Sequence, residues 1–143
     1  MTGFEKEVMG IIEEVERAEE AKKQEKDEEI IEKLPFELEE KFLAMVRIDI
    51  MNHKDSGIIK YELPDLAKSI KYSNYVGEFA GIKREFSSLS EVEEFAKKVK
   101  NNFASDSLMY KVEWDRYNSG SCCIKLEFIL DYNKIREIAK KSH

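Results

Sequence analysis

Apolar residues near the amino terminus recur at alternating spacings of four and three, which is the pattern of an amphipathic helix. Thr2 stands before the first of them as a candidate N-cap, and Glu5 follows three residues later to complete a capping box. We call these apolar residues the seam and predict that they form an oligomer interface: Phe4, Val8, Ile11, Val15 and Ala18.

The pattern changes after the seam. Residues 19–29 include no large apolar residue. They are expected to stay helical through strong helix formers and ion pairs such as Glu13–Arg17, Glu19–Lys23 and Glu29–Lys33. An apolar face returns from Ile30 in a different register, and Pro35 is expected to end the helix. We therefore predict one helix over about residues 4–33. Its charged middle is unsuited to a core, so at least part of the helix should project.

Alternation with a period of two follows. Val46, Ile48 and Ile50 alternate with polar residues, which predicts a half-buried strand. The whole region is expected to contain strands at 46–50, 59–63 and 76–86 and a short helix at 65–71.

The clearest helix begins after Ser88 or Ser90, either of which is a suitable N-cap. Its predicted inner stripe consists of Leu89, Val92, Phe95, Ala96, Val99 and Phe103.

The register of the last hairpin follows from its two faces. A three-residue loop at 118–120 brings Trp114 opposite Ile124 and Val112 opposite Leu126 on the apolar face. The other face then has two expected cross-strand ion pairs, Glu113 with Lys125 and Lys111 with Glu127.

These elements predict an α+β fold. A long acidic amino-terminal helix should precede a mixed β-sheet of about five strands with a crossover helix, and Asp131 should cap a carboxy-terminal helix that carries Ile135 and Ile138. The predicted division is a helical arm at 1–38, for assembly or partner contact, and a compact α+β domain at 42–143.

Charge is unevenly distributed along the chain. Residues 1–40 have fifteen acidic and six basic residues, a net charge of −9, whereas residues 41–143 have fifteen acidic and eighteen basic residues, a net of +3. An acidic chain disfavours direct nucleic-acid binding, because affinity for phosphates comes from excess Lys and Arg. No apolar run is long enough to span a membrane, and no secretory signal is evident.

Adjacent cysteines, Cys122 and Cys123, point to opposite faces of a strand and suit reduced thiols in a cytoplasmic compartment, which is the host cytoplasm if a phage encodes the chain. They lack a catalytic base. His53, with Asp49 and Asp55 nearby, fits a polar turn better than an acid–base or metal site. We therefore expect no catalytic residues, no metal and no cofactor, and we predict that the protein is not an enzyme.

One segment combines aromatic and basic residues in a pattern that could bind an anionic small molecule or nucleotide. Its residues are Lys71, Tyr72, Asn74, Tyr75, Phe79, Lys83 and Arg84. The alternative, which we favour, is that its aromatic side chains only close the edge of the core.

The leading functional prediction is a non-catalytic binding or regulatory protein. It should form a dimer or higher homo-oligomer through the seam and engage a protein partner, in the manner of an inhibitor-like accessory protein of a phage or mobile element. The alternative is a protein that sequesters a nucleotide or other small molecule at residues 71–84.

Overall fold

The computed structural model describes residues 1–68, 74–116 and 122–142. These ranges contain three helices and six strands and confirm the α+β fold: α1 (Gly3–Met51), β1 (Ile58–Glu62), β2 (Leu66–Lys68), β3 (Tyr75–Phe79), β4 (Ile82–Phe86), α2 (Leu89–Asn101), β5 (Leu108–Arg116), β6 (Cys122–Asp131) and α3 (Tyr132–Lys141).

Helix α1 begins as predicted and ends much later. The Thr2 side chain accepts a hydrogen bond from the Glu5 amide, and Glu5 completes the capping box. Pro35 does not end the helix, which continues for sixteen more residues to Met51. An interior proline costs about 3 kcal/mol. The helix face on both sides of it is buried against the sheet, through Ile30, Leu34, Leu38 and Phe42. Burying four such side chains contributes roughly 6–12 kcal/mol, so packing outweighs the proline.

The predicted strand at 46–50 was wrong, because these residues form the last turns of α1. Val46 lies four residues beyond Phe42 and continues the buried helical stripe, and it packs against the core. Ile48 and Ile50 remain exposed. The period-two alternation therefore arose from a helix with apolar residues on more than one side.

The sheet is antiparallel throughout the described residues, so the prediction of a mixed sheet was wrong. Strands β1 and β2 both pair with one side of β6, and their register shifts by one residue between Leu63 and Leu66. Such a shift is a β-bulge. Residues 66–68, expected to be helical, form β2, while residues 69–71 of that prediction lie outside the described ranges.

A tight hairpin replaces the single strand predicted at 76–86. Strands β3 and β4 pair from Tyr75–Phe86 to Phe79–Ile82. Ala80 and Gly81 form the turn with φ of 52° and 78°. Two consecutive positive φ angles are characteristic of a type I′ turn, which suits the twist of a two-stranded ribbon.

The register predicted for the β5–β6 hairpin is confirmed, while its loop lies outside the described residues. Trp114 pairs with Ile124, Val112 with Leu126, Glu113 with Lys125 and Lys111 with Glu127. The ion pairs differ from those predicted. Lys125 binds Asp115 at 3.3 Å and Glu62 at 3.4 Å, and Lys111 binds Glu113 at 3.4 Å. Lys125 thus pairs with a diagonal residue and with a residue on the next strand, and Lys111 pairs with a residue two positions along its own strand.

Helix α2 crosses the sheet from β4 to β5, as expected. Since each neighbouring pair is antiparallel, these two strands run in the same direction with three strand positions between them. The Ser88 side chain caps α2 by accepting a hydrogen bond from the Glu91 amide. Four residues of the predicted inner stripe are buried, and its two end residues, Leu89 and Phe103, are partly buried. Helices α1 and α2 contact each other and the sheet, and all their buried apolar residues join one core. In the described residues, no helix combines the length and apolar character needed to cross a membrane.

Candidate functional site

Residues 1–22, which we call the arm, are exposed without exception. The arm includes the whole seam. Phe4 is 75% exposed, and Val8, Ile11 and Val15 are also exposed large apolar side chains. Solvent-facing apolar stripes of this kind mark interaction surfaces in soluble domains. The arm is therefore the first component of the candidate site.

A buried ionic cluster lies just after the arm, where α1 first contacts β4 and α2. We call the described part of the protein that follows the arm the body. Arg84 on β4 donates from Nε to Asp27 Oδ1 at 2.7 Å and from Nη2 to Asp27 Oδ2 at 3.5 Å. The two residues are only 3% and 4% exposed. Lys98 on α2 also reaches Asp27, at 3.2 Å. We call this cluster, with Lys23 and Glu91, the anchor.

Glu91 joins the anchor to the start of α2. It accepts from the Ser87 amide and hydroxyl, each at 2.6 Å, and pairs with Lys23 at 3.0 Å and with Arg84 at 3.3 Å. Burial raises the pKa of this carboxyl, but the Ser87 hydrogen bonds and the Lys23 ammonium outweigh burial and lower it to about 2. The charged stretch 19–29, expected to stay off the core, is thus bound to it at Lys23 and Asp27. The anchor fixes the direction in which the arm leaves the body.

The second component is an apolar groove beside the carboxy-terminal turns of α1. Its volume is about 600 Å³, in the range of ligand and peptide sites. One wall is α1, and the other is formed by Phe103 after α2, by Leu130 on β6 and by α3. The lining residues that the α1 wall contributes are Glu39, Phe42, Leu43, Val46, Arg47, Ile50 and Met51. Leu43 is 64% exposed, so this wall faces solvent.

Hydrogen bonds hold the two walls of the groove together. Asp49 Oδ2 accepts from the Tyr132 hydroxyl at 2.7 Å and from the Ser56 amide and hydroxyl, each at 2.9 Å. Asp55 accepts from the Tyr132 hydroxyl at 3.1 Å and pairs with Arg136 at 2.8 Å. We call these residues the α1–α3 clasp.

The clasp shifts the ionisation of its members. The hydrogen bond from Tyr132 lowers the pKa of Asp49, and that from Arg136 lowers the pKa of Asp55. Burial and the hydrogen bond to Asp49 raise the pKa of the Tyr132 hydroxyl. His53 is exposed in the turn with φ of 60°, and the two aspartates near it bind clasp residues instead. This geometry favours the polar-turn interpretation of residues 52–57.

Three of the five described residues of the segment predicted to bind an anion are buried. Phe79 packs in the core against Phe86 and Phe95, and Tyr75 is buried with its ring 5.2 Å from that of Trp114. Arg84 belongs to the anchor. Lys83 is exposed and Asn74 half-buried, while Lys71 and Tyr72 lie outside the described residues. This burial favours the interpretation that the aromatic residues close the core.

Cys123 has a polar neighbourhood on the charged face of the sheet. Its Sγ and a carboxylate oxygen from each of Asp65 and Asp115 all lie within 4.8 Å of one another. A thiolate with two carboxylates could hold a zinc ion. Lys125 already compensates Asp115 at 3.3 Å, however. The absence of a metal site stays a prediction.

Sequence reasoning missed the anchor and the groove. Asp27 and Arg84 are fifty-seven positions apart, and no local pattern joins them. The expectation that Pro35 ends the helix hides the groove, because one of its walls is the part of α1 that follows Pro35. The signal that could have revealed it is the spacing of seven that separates three exposed apolar residues, Phe36, Leu43 and Ile50.

Comparisons with protein-family models, with curated proteins and with solved structures give no match to this chain.

Proposed function

We propose that this chain is a non-catalytic binding protein that self-associates through the seam of its arm and presents the assembled surface to a second protein. The observation that carries the proposal is the exposure of the whole seam on a helix that the anchor fixes to the body. An apolar stripe held in water favours any contact that buries it.

The other faces of the arm suit a protein partner. Residues 3–18 have five glutamates and two basic residues, which gives a net charge of −3. Acidic residues of the arm that the self-association contact leaves in water can attract a basic protein surface. Assembly brings several such surfaces together, which raises the effective affinity for a repeated or extended partner.

The test is the molar mass of the full-length protein in solution, measured by light scattering over a concentration series. We expect a dimer or larger species and expect Ile11→Glu to convert it to monomer, because a buried charge in an apolar seam is costly. Met9→Glu is the matched control: it replaces another exposed apolar residue of the arm that lies off the seam. A monomeric wild type, or an assembly indifferent to Ile11→Glu, would contradict the proposal.

A further inference from the structure

We infer that the arm of one copy occupies the groove of a second copy, so that two α1 helices pair antiparallel about a two-fold axis. This inference rests on the proposed self-association and specifies its geometry. The seam and one wall of the groove belong to the same helix, and each of these surfaces is apolar and open to solvent.

The spacing of apolar residues carries the argument. The seam advances along α1 by four, three, four and three residues. Read backwards from the groove end, α1 has a second series with identical steps. That series is Ile50, Val46, Leu43, Glu39 and Phe36.

Antiparallel helices in a coiled coil require such mirrored spacing. Each layer joins one residue from each helix, and from layer to layer the residue number rises in one helix and falls in the other. A single register places all five seam residues opposite the five residues of this series. It pairs Phe4 with Ile50, Val8 with Val46, Ile11 with Leu43, Val15 with Glu39 and Ala18 with Phe36 of the second copy. Four of these layers are wholly apolar, and the two-fold axis repeats each of them.

Exposure and lining agree with this register. Phe36 is 69% exposed, and Leu43 and Ile50 are also exposed, so these side chains are open to a partner. Leu43, Val46 and Ile50 line the groove, along with Glu39. The smallest seam residue, Ala18, meets the bulky Phe36, a combination that close packing favours.

Charge on the far wall of the groove favours the same arrangement. Helix α3, the far wall of the groove, has four basic residues and Glu137, a net charge of +3. Residues 3–18 of the arm have a net charge of −3 from five glutamates and two basic residues. The centre of the pairing is polar. Lys22 lies opposite Glu32 of the second copy, which is favourable, whereas Glu25 lies opposite Glu29, a like-charge layer that opposes pairing. The two apolar ends therefore set the register.

The arm cannot fill the groove of its own chain. α1 is one continuous helix, and Ile11 and Leu43 are thirty-two residues apart on it, a distance of roughly 48 Å at 1.5 Å per residue. Only a separate molecule can bring a seam to the groove. Reciprocal exchange closes the dimer and leaves neither surface open.

The experiment compares full-length variants by sedimentation velocity. We expect both Leu43→Glu and Ile11→Glu to raise the dimer dissociation constant at least ~100-fold. The two-fold axis repeats the Ile11–Leu43 layer, so each substitution places a charge in two apolar layers of the dimer. The Ile11→Glu, Leu43→Lys double variant should recover most of the affinity, since opposite charges then face each other across both layers. Ile48→Glu, at an exposed α1 position off the series, is the matched control.

The outcomes separate the two proposals. If Ile11→Glu dissociates the dimer and Leu43→Glu does not, the arms pair with each other or the groove binds another ligand, and the groove inference is wrong while self-association stands. If neither variant changes the mass, both are wrong. Circular dichroism of each variant checks folding, and failure of the double variant to recover affinity overturns the register.

Discussion

Arg84 and Asp27 form a bidentate ion pair, 2.7 Å at its shorter contact, between the middle of α1 and strand β4. The guanidinium also donates to the Glu85 carbonyl and lies 4.5 Å from the centroid of the Phe86 ring. This pair is where a solvent-exposed helix becomes part of a folded core. Its burial makes it sensitive to the loss of either partner.

Replacement of Arg84 by Met should lower the free energy of unfolding by about 3–5 kcal/mol, because it leaves the buried Asp27 carboxylate without its main partner. The Asp27→Leu, Arg84→Met double variant should lose less than the two single variants together. Urea denaturation of the wild type, the two single variants and the double variant measures the four free energies of unfolding. Glu13→Ala, which breaks the exposed pair with Arg17, should cost less than about 0.5 kcal/mol. Strictly additive losses would show that the pair is not coupled.

Acid should weaken the attachment of α1 through Glu91. The folded-state pKa of about 2 is below the ordinary value of 4.5, so the folded protein favours the ionised form. This contribution is complete above pH 4.5 and is lost as the pH falls from about 4.5 towards 2. The lowered pKa values of Asp49 and Asp55 act in the same direction.

Urea midpoints between pH 7 and pH 3 test this dependence. Glu91→Gln should destabilise the protein at pH 7, and its difference from the wild type should shrink as the pH falls. Glu93→Gln, on the exposed side of the same helix, is the control and should follow the wild type. A constant difference between Glu91→Gln and the wild type across the range would contradict the expectation.

The turn at Ala80 should be improved by glycine. Ala80 has φ of 52°, a left-handed conformation that costs an L-residue roughly 1–2 kcal/mol. Ala80→Gly should therefore raise the free energy of unfolding by about 1 kcal/mol, measured by thermal or urea denaturation. The matched control, Ala67→Gly in the exposed part of β2, should lower it by about 0.5–1 kcal/mol, since glycine weakens a strand. Destabilisation by Ala80→Gly would argue against the type I′ turn.

Truncation distinguishes the arm from the body. Deletion of residues 1–22 should leave the fold intact, because every deleted residue is exposed. Deletion of residues 1–38, the arm predicted from the sequence, also removes Asp27, Ile30, Leu34 and Leu38 and should abolish cooperative unfolding. Circular dichroism with urea denaturation at low concentration separates these effects from the loss of assembly. Cooperative unfolding of the shorter chain would support the boundary near residue 38.

Local chemistry alone determined several elements of this protein. The capping box at Thr2, the α2 helix behind Ser88 and the register that pairs Trp114 with Ile124 all depend on residues close in sequence or on one hairpin. Periodicity and cap chemistry act over that range, so these features could be predicted. The seam was also recognised from its spacing.

Tertiary structure decided the rest. Pro35 is tolerated because apolar residues on both sides of it are buried against a sheet whose strands come from much later in the chain. The same burial keeps residues 46–50 helical in spite of their alternation, and it brings Asp27 to Arg84. Burial energy depends on which surfaces meet, and that information is distributed over the whole chain. The sequence therefore revealed the seam, and only the fold revealed the groove.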